Sequence, residues 1–417
     1  MTDLNTAAAG LSSMLGMRPL EGIRVLTVEN FLAAPYCSMW LADAGAEVVK
    51  VETRDGGDMA RRTSPVRQDA QGNPRGLSLL RSNRNKKSIT LDLKHPEGKA
   101  LFTELAKEAD IVVENLRAGV MDRLGIGYAE LSRINPKLIY VAISGFGQKH
   151  VLPSPFIDYP AFDIVGQALS GLMNRPERQG DRPTYLGFSL ADIEAGILGA
   201  YGALLALIQR GRTGKGQMID ISLYDACLIL NEISVAMYSG QRTKSAPGLH
   251  AVTAPFGSYE TKDGYIVIAV LGEHIWHRFC EAIGMPGLKD DPRFKDGVSR
   301  NRENAALTAA ISPWLLARTR REALDTLLAA GVPAAAVNDV EDVFDCPHAA
   351  AREMLVTLDD PVWGKVQVVG NPVKMSGVPP IETRLPPALG ENTDEVLHGW
   401  LGVDDARIAE LRARNVI

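Results

Sequence analysis

Near its start the chain writes "GIRVLTVENF" (22–31), "PYCSMWLADAG" (35–45) and "AEVVKVE" (46–52), two apolar β-rich runs on either side of a helical one. A βαβ unit in about 30 residues leaves few options, because a parallel pair of strands needs a crossover helix and buries both of its faces. The pattern then repeats. "SITLDL" (88–93), "HPEGKALFTELAKEA" (95–109) and "DIVVEN" (110–115) follow, and then "LIYVAISGFG" (138–147) and a last strand within "GKGQMIDIS" (214–222). The expected fold is α/β, with a doubly wound, parallel, Rossmann-like sheet. Ligands of such sheets sit at the carboxyl ends of the strands, so the turns after Val28, Glu52, Val113 and Ile143 are the places to look.

Those turns lack the usual nucleotide motifs. The first reads "ENFLAAP" rather than GxGxxG, and "GRTGKGQ" (211–217) has no glycine at the position a P-loop requires. The 45 basic and 50 acidic residues give a net charge of -5, which exerts no general pull on nucleic acid or on an anionic membrane. No nucleic-acid or membrane partner is expected, and any phosphate contact must be local. The cysteines Cys37, Cys227, Cys280 and Cys346 have neither CxxC nor metal spacing and read as reduced thiols of a cytoplasmic protein. His274 and His277, three residues apart, lack a third ligand at a fixed interval, so no metal is expected.

Residues 1–17 carry no targeting pattern and read as a flexible extension. The large Rossmann-like domain is expected over 18–235, with a polar linker over 236–250 around "SGQRTKSAPGLH". A smaller inserted α+β domain over 251–335 would follow, built on the hairpin-like "FGSYETKDGYIVIAV" and three helical patterns. Residues 336–417 would return to the large domain and close it with the tail "DARIAELRARN".

One stretch stands apart. "SLADIEAG" (189–196) sets Asp192 and Glu194 at the mouth of the apolar run "ILGAYGALLALI". Taken alone, Asp192 fits an ordinary helix cap. Glycines 196, 199 and 202 would let another backbone, or a ligand arm, approach that helix closely.

Several strings together resemble the class III CoA-transferases, a family that also holds carnitine-dehydratase-like and bile-acid-inducible proteins and the α-methylacyl-CoA racemases. They are "PLEGIRVL", "APYCSMWLADAGAEVVKVE", "NRNKKSITLDLKHPEGK", "VENLRAGVMDRLGIGY", "NPKLIYVAISGFGQ", "GRTGKGQMIDISLYDA" and "LGENTDEVL", in order from about residue 19 to the C-terminus. The resemblance implies the CoA-transferase fold, an interlocked homodimer in which each subunit threads a ring formed by the other. It also implies acyl-CoA and a small carboxylic acid as substrates, with no permanently bound cofactor.

By the same resemblance Asp192 is the catalytic nucleophile. Asn85, Lys86, Asn115, Arg117 and Arg123 would hold the nucleotide and phosphates of CoA, and Ala33 would lie near the pantetheine. Phe162 and Asp163 would line the thioester pocket. The family's strand-end arginine is Thr53 here, which leaves Arg54, one place later, as its candidate replacement. A glycine-rich loop of the formyl-CoA:oxalate branch has no counterpart between 240 and 262, which argues against oxalate as substrate.

Attack of Asp192 on a thioester would give a mixed anhydride and then an aspartyl-CoA thioester. The start of a helix should hold its pKa down, and the free amides there should stabilise the oxyanion. Two alternatives stay open at this point. A racemase or isomerase would move an α-proton between two acid/base groups, although the histidine of the racemase branch is Phe162 here. A non-catalytic CoA-binding protein would use the same fold without a covalent adduct.

Overall fold

A computed structural model describes residues 17–174, 182–242 and 252–417, so the extension expected at the N-terminus and residues 243–250 of the expected linker lie outside the described residues except for Met17. The parallel sheet has six strands: β1 (Arg24–Val28), β2 (Glu47–Glu52), β3 (Lys86–Thr90), β4 (Ile111–Glu114), β5 (Ile139–Ser144) and β6 (Met218–Ser222). Their order is β3-β2-β1-β4-β5-β6, every neighbouring pair parallel. Strand order reverses between β1 and β4, which opens a crevice at their carboxyl ends. All six residues of β5 and all four of β4 are buried, as expected for a sheet covered on both faces.

On one face, Leu26, Val49, Val112 and Tyr140 pack with Phe102 and Leu105 of α2 (Pro96–Glu108) and with Leu397, Leu411 and Ile417 from the C-terminal tail. The tail thus closes this core, as the sequence implies. The other face is served by α1 (Ala33–Asp43) and the 24-residue α4 (Leu190–Thr213), joined by two short helices, α3 (Asp163–Leu169) and α5 (Leu223–Leu228). By length and composition α4 would suffice to cross a bilayer. Its glycines instead press it onto neighbours within this unit. A Cβ on Gly196 would lie 2.7 Å from the Ala33 carbonyl oxygen, one on Gly199 3.1 Å from Cys37 Sγ, and one on Gly202 2.7 Å from Ile219. The close approach the glycines permit is therefore to α1 and β6.

The chain forms two compact units. The large one takes residues up to Ser170, then Tyr185–Leu230 and His348–Ile417; the small one takes Gly171–Thr184 and Asn231–Pro347. In the small unit β7 (Phe256–Thr261) and β8 (Gly264–Ala269) form the expected hairpin. A third strand, β9 (Ala334–Ala336), pairs antiparallel with β8, and helices Glu273–Ala282, Asn304–Leu316 and Arg320–Ala329 complete it. Two boundaries differ from the sequence expectation. The helix Glu232–Gln241 covers the start of the expected linker, and the return to the large unit comes at His348 because β9 belongs to the small sheet.

Buried charge organises the strand ends. Lys50 Nζ pairs with Asp58 and donates to Asn83 Oδ1 at 2.8 Å; Glu29 Oε1 lies 3.7 Å from it and takes Lys86 Nζ at 2.7 Å. Arg61 forks onto Glu52 at 2.6 and 2.8 Å. Burial opposes the Lys50 charge, but Asp58 and Glu29 outweigh it and raise its pKa, while Arg61 and Lys50 hold Glu52 down to about 2 against its own burial. Lys50→Met leaves buried Asp58 without its cation, while Glu29 keeps Lys86, and should cost about 3–5 kcal/mol. Urea denaturation of the variant checks this, and a midpoint equal to wild type would refute it.

Candidate active site

The crevice holds a cavity of about 320 Å³. It is lined by the turn after β1 (Asn30–Ala33), the turn after β4 (Asn115–Ala118), Ser144 and Gly145 at the end of β5, Asp158, Tyr159 and Phe162, and Asp192 on α4. Three of the four strand-end turns singled out from the sequence thus converge on it. The turn after β1 is pinned from both sides. Asn115 Oδ1 accepts from Asn30 N and its Nδ2 donates to Asn30 O, both at 2.8 Å. Asp58 Oδ1 accepts from Phe31 N at 2.9 Å, and Phe31 sits in the left-handed region at φ +65°. Side chains rarely adopt that conformation, at a cost on the order of 1–3 kcal/mol.

A larger cavity, about 570 Å³, opens farther along α4 between Trp40, Tyr201, Leu204 and residues 373–381. Its charged pair, Asp43 and Arg84, is spent internally, with Arg84 Nη2 2.6 Å from Asp43 Oδ2. The smaller cavity has the better claim to chemistry. It brings a half-buried carboxylate together with two exposed guanidinium groups, Arg117 and Arg123, that have no acidic partner among the described residues.

Of the residues taken from the sequence, Ala33, Asn115, Arg117, Arg123, Phe162 and Asp192 line this cavity, and Arg54, Asn85, Lys86 and Asp163 do not. Arg54 donates to Asn415 O at 2.6 Å and to its Oδ1 at 2.9 Å, on the surface. Asn85, at φ +63°, ties Asp43 to the backbone of Arg384. Lys86 is buried against Glu29 and the Pro35 carbonyl, and desolvation pushes its pKa down to about 8. Internal partners consume all three, so none is offered to a phosphate. Asn30, Met59, Ser144, Asp158 and Tyr159 were not singled out; Asn30 and Ser144 lie at strand ends, where position alone could have found them.

Asp192 is not the cap of α4. Ser189 holds that place without a side-chain bond, and Asp192 lies in the first turn. Asp163, from α3, does the capping: its Oδ1 accepts from Ala191 N at 2.7 Å and Asp192 N at 3.3 Å. Leu190 N goes to Phe188 O and Ile193 N to Ser189 O, so the first-turn amides are taken and are not an oxyanion site. The pKa expectation is corrected as well. Burial, then the like charge of Asp163, raise Asp192 to about 7, and Arg81 only partly offsets them. Glu194 does not line the cavity.

A nucleophilic Asp192, the role the family resemblance implies, would act only as the carboxylate, and kcat/KM would then climb about tenfold per pH unit below 7 and level off above it. Stability should run the other way. The folded chain keeps a proton that the unfolded chain loses above the ordinary value of 3.8, so stability falls as pH rises from there through about 7. Rate profiles from pH 5 to 9 check the first statement; a rate already level at pH 5 would contradict it.

Comparison with known proteins gives a consistent pattern. The model of CoA-transferase family III matches residues 20–393. The succinyl-CoA:mesaconate CoA-transferase of Haloarcula hispanica is 38% identical over 384 residues, 91% of this chain and 96% of its own. The acetyl-CoA:oxalate CoA-transferase of Acetobacter aceti is 37% identical over 362 residues, 86% and 90% of the two chains. The crystal structure of a CAIB/BAIF family protein from Brucella suis superposes with a TM-score of 0.79 at 31% identity, covering 92% of this chain and 99% of that one.

Proposed function

The chain belongs to CoA-transferase family III, and from that premise we propose that it moves CoA from an acyl-CoA donor to a carboxylic acid acceptor with Asp192 as covalent carrier. One observation carries the reading: the half-buried acid of the cavity, Asp192, lines the same space as Arg117 and Arg123, which have no acidic partner among the described residues. Those cations suit the phosphates of CoA, and the pinned turn at Ala33 leaves room for the pantetheine arm.

In the proposed reaction a carboxylate oxygen of Asp192 attacks the donor thioester carbonyl and expels CoA thiolate, leaving a mixed anhydride. The thiolate attacks the aspartyl carbonyl of that anhydride and releases the donor acid, which leaves CoA on Asp192 as a thioester. An acceptor carboxylate attacks this thioester, again expelling the thiolate. Attack of the thiolate on the acceptor carbonyl then forms the new acyl-CoA and restores Asp192. No net proton or electron is needed, and no resident cofactor is called for.

The named relatives point to a short acyl-CoA donor and a small dicarboxylic acceptor. Oxalate stays within that class, since a relative 37% identical is named for it and outweighs the missing glycine loop. The α-proton chemistry of a racemase is disfavoured because no histidine lines the cavity among the described residues; His150 is paired with Asp122 at 3.0 Å instead. We further propose a homodimer, for which the exposed face of Tyr201, Leu204, Leu205 and Ile208 on α4 offers apolar surface. A cytoplasmic setting is part of the same proposal, in keeping with four unpaired cysteines.

Incubation with acyl-CoA followed by hydroxylamine or borohydride trapping and peptide mass spectrometry tests the assignment. Modification should fall on Asp192 and vanish in Asp192→Ala, with transfer lost at least 10⁴-fold, on the order expected for removal of a covalent nucleophile. A protein that binds CoA and turns over without any adduct would overturn it.

A further inference from the structure

The reaction as written makes no use of Asp163, yet this acid is 7% exposed and packed against the start of the carrier helix. Its Oδ2 accepts from Gln167 Nε2 at 2.7 Å, and the same Nε2 donates to Phe188 O at 2.9 Å, in the segment leading into α4. No lysine or arginine pairs with it among the described residues. Capping alone does not require a charge, because an asparagine presents the same acceptor oxygen to the Ala191 and Asp192 amides. An acid buried here without a cation among the described residues is costly: burial raises the pKa of Asp163 itself, and its like charge raises that of Asp192.

We propose, on the reading of Asp192 as carrier, that Asp163 is a positioning residue that docks the first turn of α4 and destabilises the free carboxylate of Asp192 relative to its neutral covalent forms. The groups around Asp192 are Asp163 from α3, Tyr185 from the segment before α4, Arg81 from the helix Leu77–Ser82, Cys227 from α5, and Glu194 on α4 itself. Among them Asp163 is the buried like charge that bonds directly to the backbone of Asp192. Protonation, the mixed anhydride and the CoA thioester each neutralise Asp192, and each relieves the same repulsion. The acidity of Asp192 and the equilibrium for loading CoA onto it are therefore linked through one residue.

The test compares wild type with Asp163→Asn, whose carboxamide keeps the cap. Gln167 can turn its amide so that Oε1, buried and without a partner among the described residues, accepts the new N–H, at the expense of the Nε2 bond to Phe188 O. The pH midpoint of kcat/KM should fall by about one unit, and the ratio of CoA-loaded to free enzyme at pH 8, read by intact-protein mass at fixed donor and acid, should drop about tenfold with it. A purely structural cap would leave both at wild-type values, and that result overturns the proposal. Absence of any adduct in wild type is a different failure, that of the carrier assignment itself. Should Asp163→Asn not fold, the proposal is read from the other side. Carbon-13 carboxyl titration of aspartate-labelled wild type, with Asp192→Asn to assign the signals, must show Asp163 already ionised at the Asp192 midpoint, and an Asp163 still protonated there overturns it.

Discussion

Six buried charges, Glu29, Glu52 and Asp58 against Lys50, Lys86 and Arg61, neutralise one another at the carboxyl ends of β1 and β2, and the site depends on that balance. Asp58 is the member that reaches the cavity: one oxygen takes Lys50 while the other holds the amide of Phe31 in its left-handed conformation. Without the lysine, Asp58 would hold the Phe31 amide as an uncompensated buried charge. The network thus converts sheet topology, which only opens a crevice, into a turn of defined shape.

A second constraint fixes the height of Asp192 above that turn. Gly196 lets α4 descend until its backbone meets Ala33, and Asp163 locks the first turn of α4 from the side. Asp192 and the wall of the cavity are therefore set by one helix–helix contact. The desolvation that raises Asp192 follows from the same close packing, so position and acidity have a common origin.

Much of this was legible in the sequence, and the reasons differ from residue to residue. Apolar runs of strand length separated by helices announce a parallel sheet wherever they stand, and the structure has it with all six strands. Asp192 stood out by resemblance to a family pattern and by its odd place before an apolar helix. Lys86 misled because a basic residue ahead of a strand reads as a ligand for phosphate, while its true partner, Glu29, lies 57 positions away. Asp163 was chosen for the right neighbourhood and the wrong task, since its bonds to Ala191 and Asp192 span 28 and 29 positions. The downward pKa expectation failed because burial, and then the like charge of a distant acid that already occupies the helix-start amides, outweigh an electropositive helix start. The strand at Ala334–Ala336 was missed because three alanines carry no alternation that could tell an edge strand from a connection.

The central claim is that an oxygen of Asp192 enters the bond-making steps. It is tested most directly by following that oxygen with an acceptor acid labelled in its carboxylate with oxygen-18. Because the acceptor displaces CoA from the aspartyl carbonyl and leaves through its own, one labelled oxygen must remain in the Asp192 carboxylate after a single turnover. The label must then appear in donor acid released by later turnovers. Label confined to the acceptor and its CoA ester, with Asp192 unlabelled after many turnovers, would mean that the two acids exchange CoA without passing through this residue.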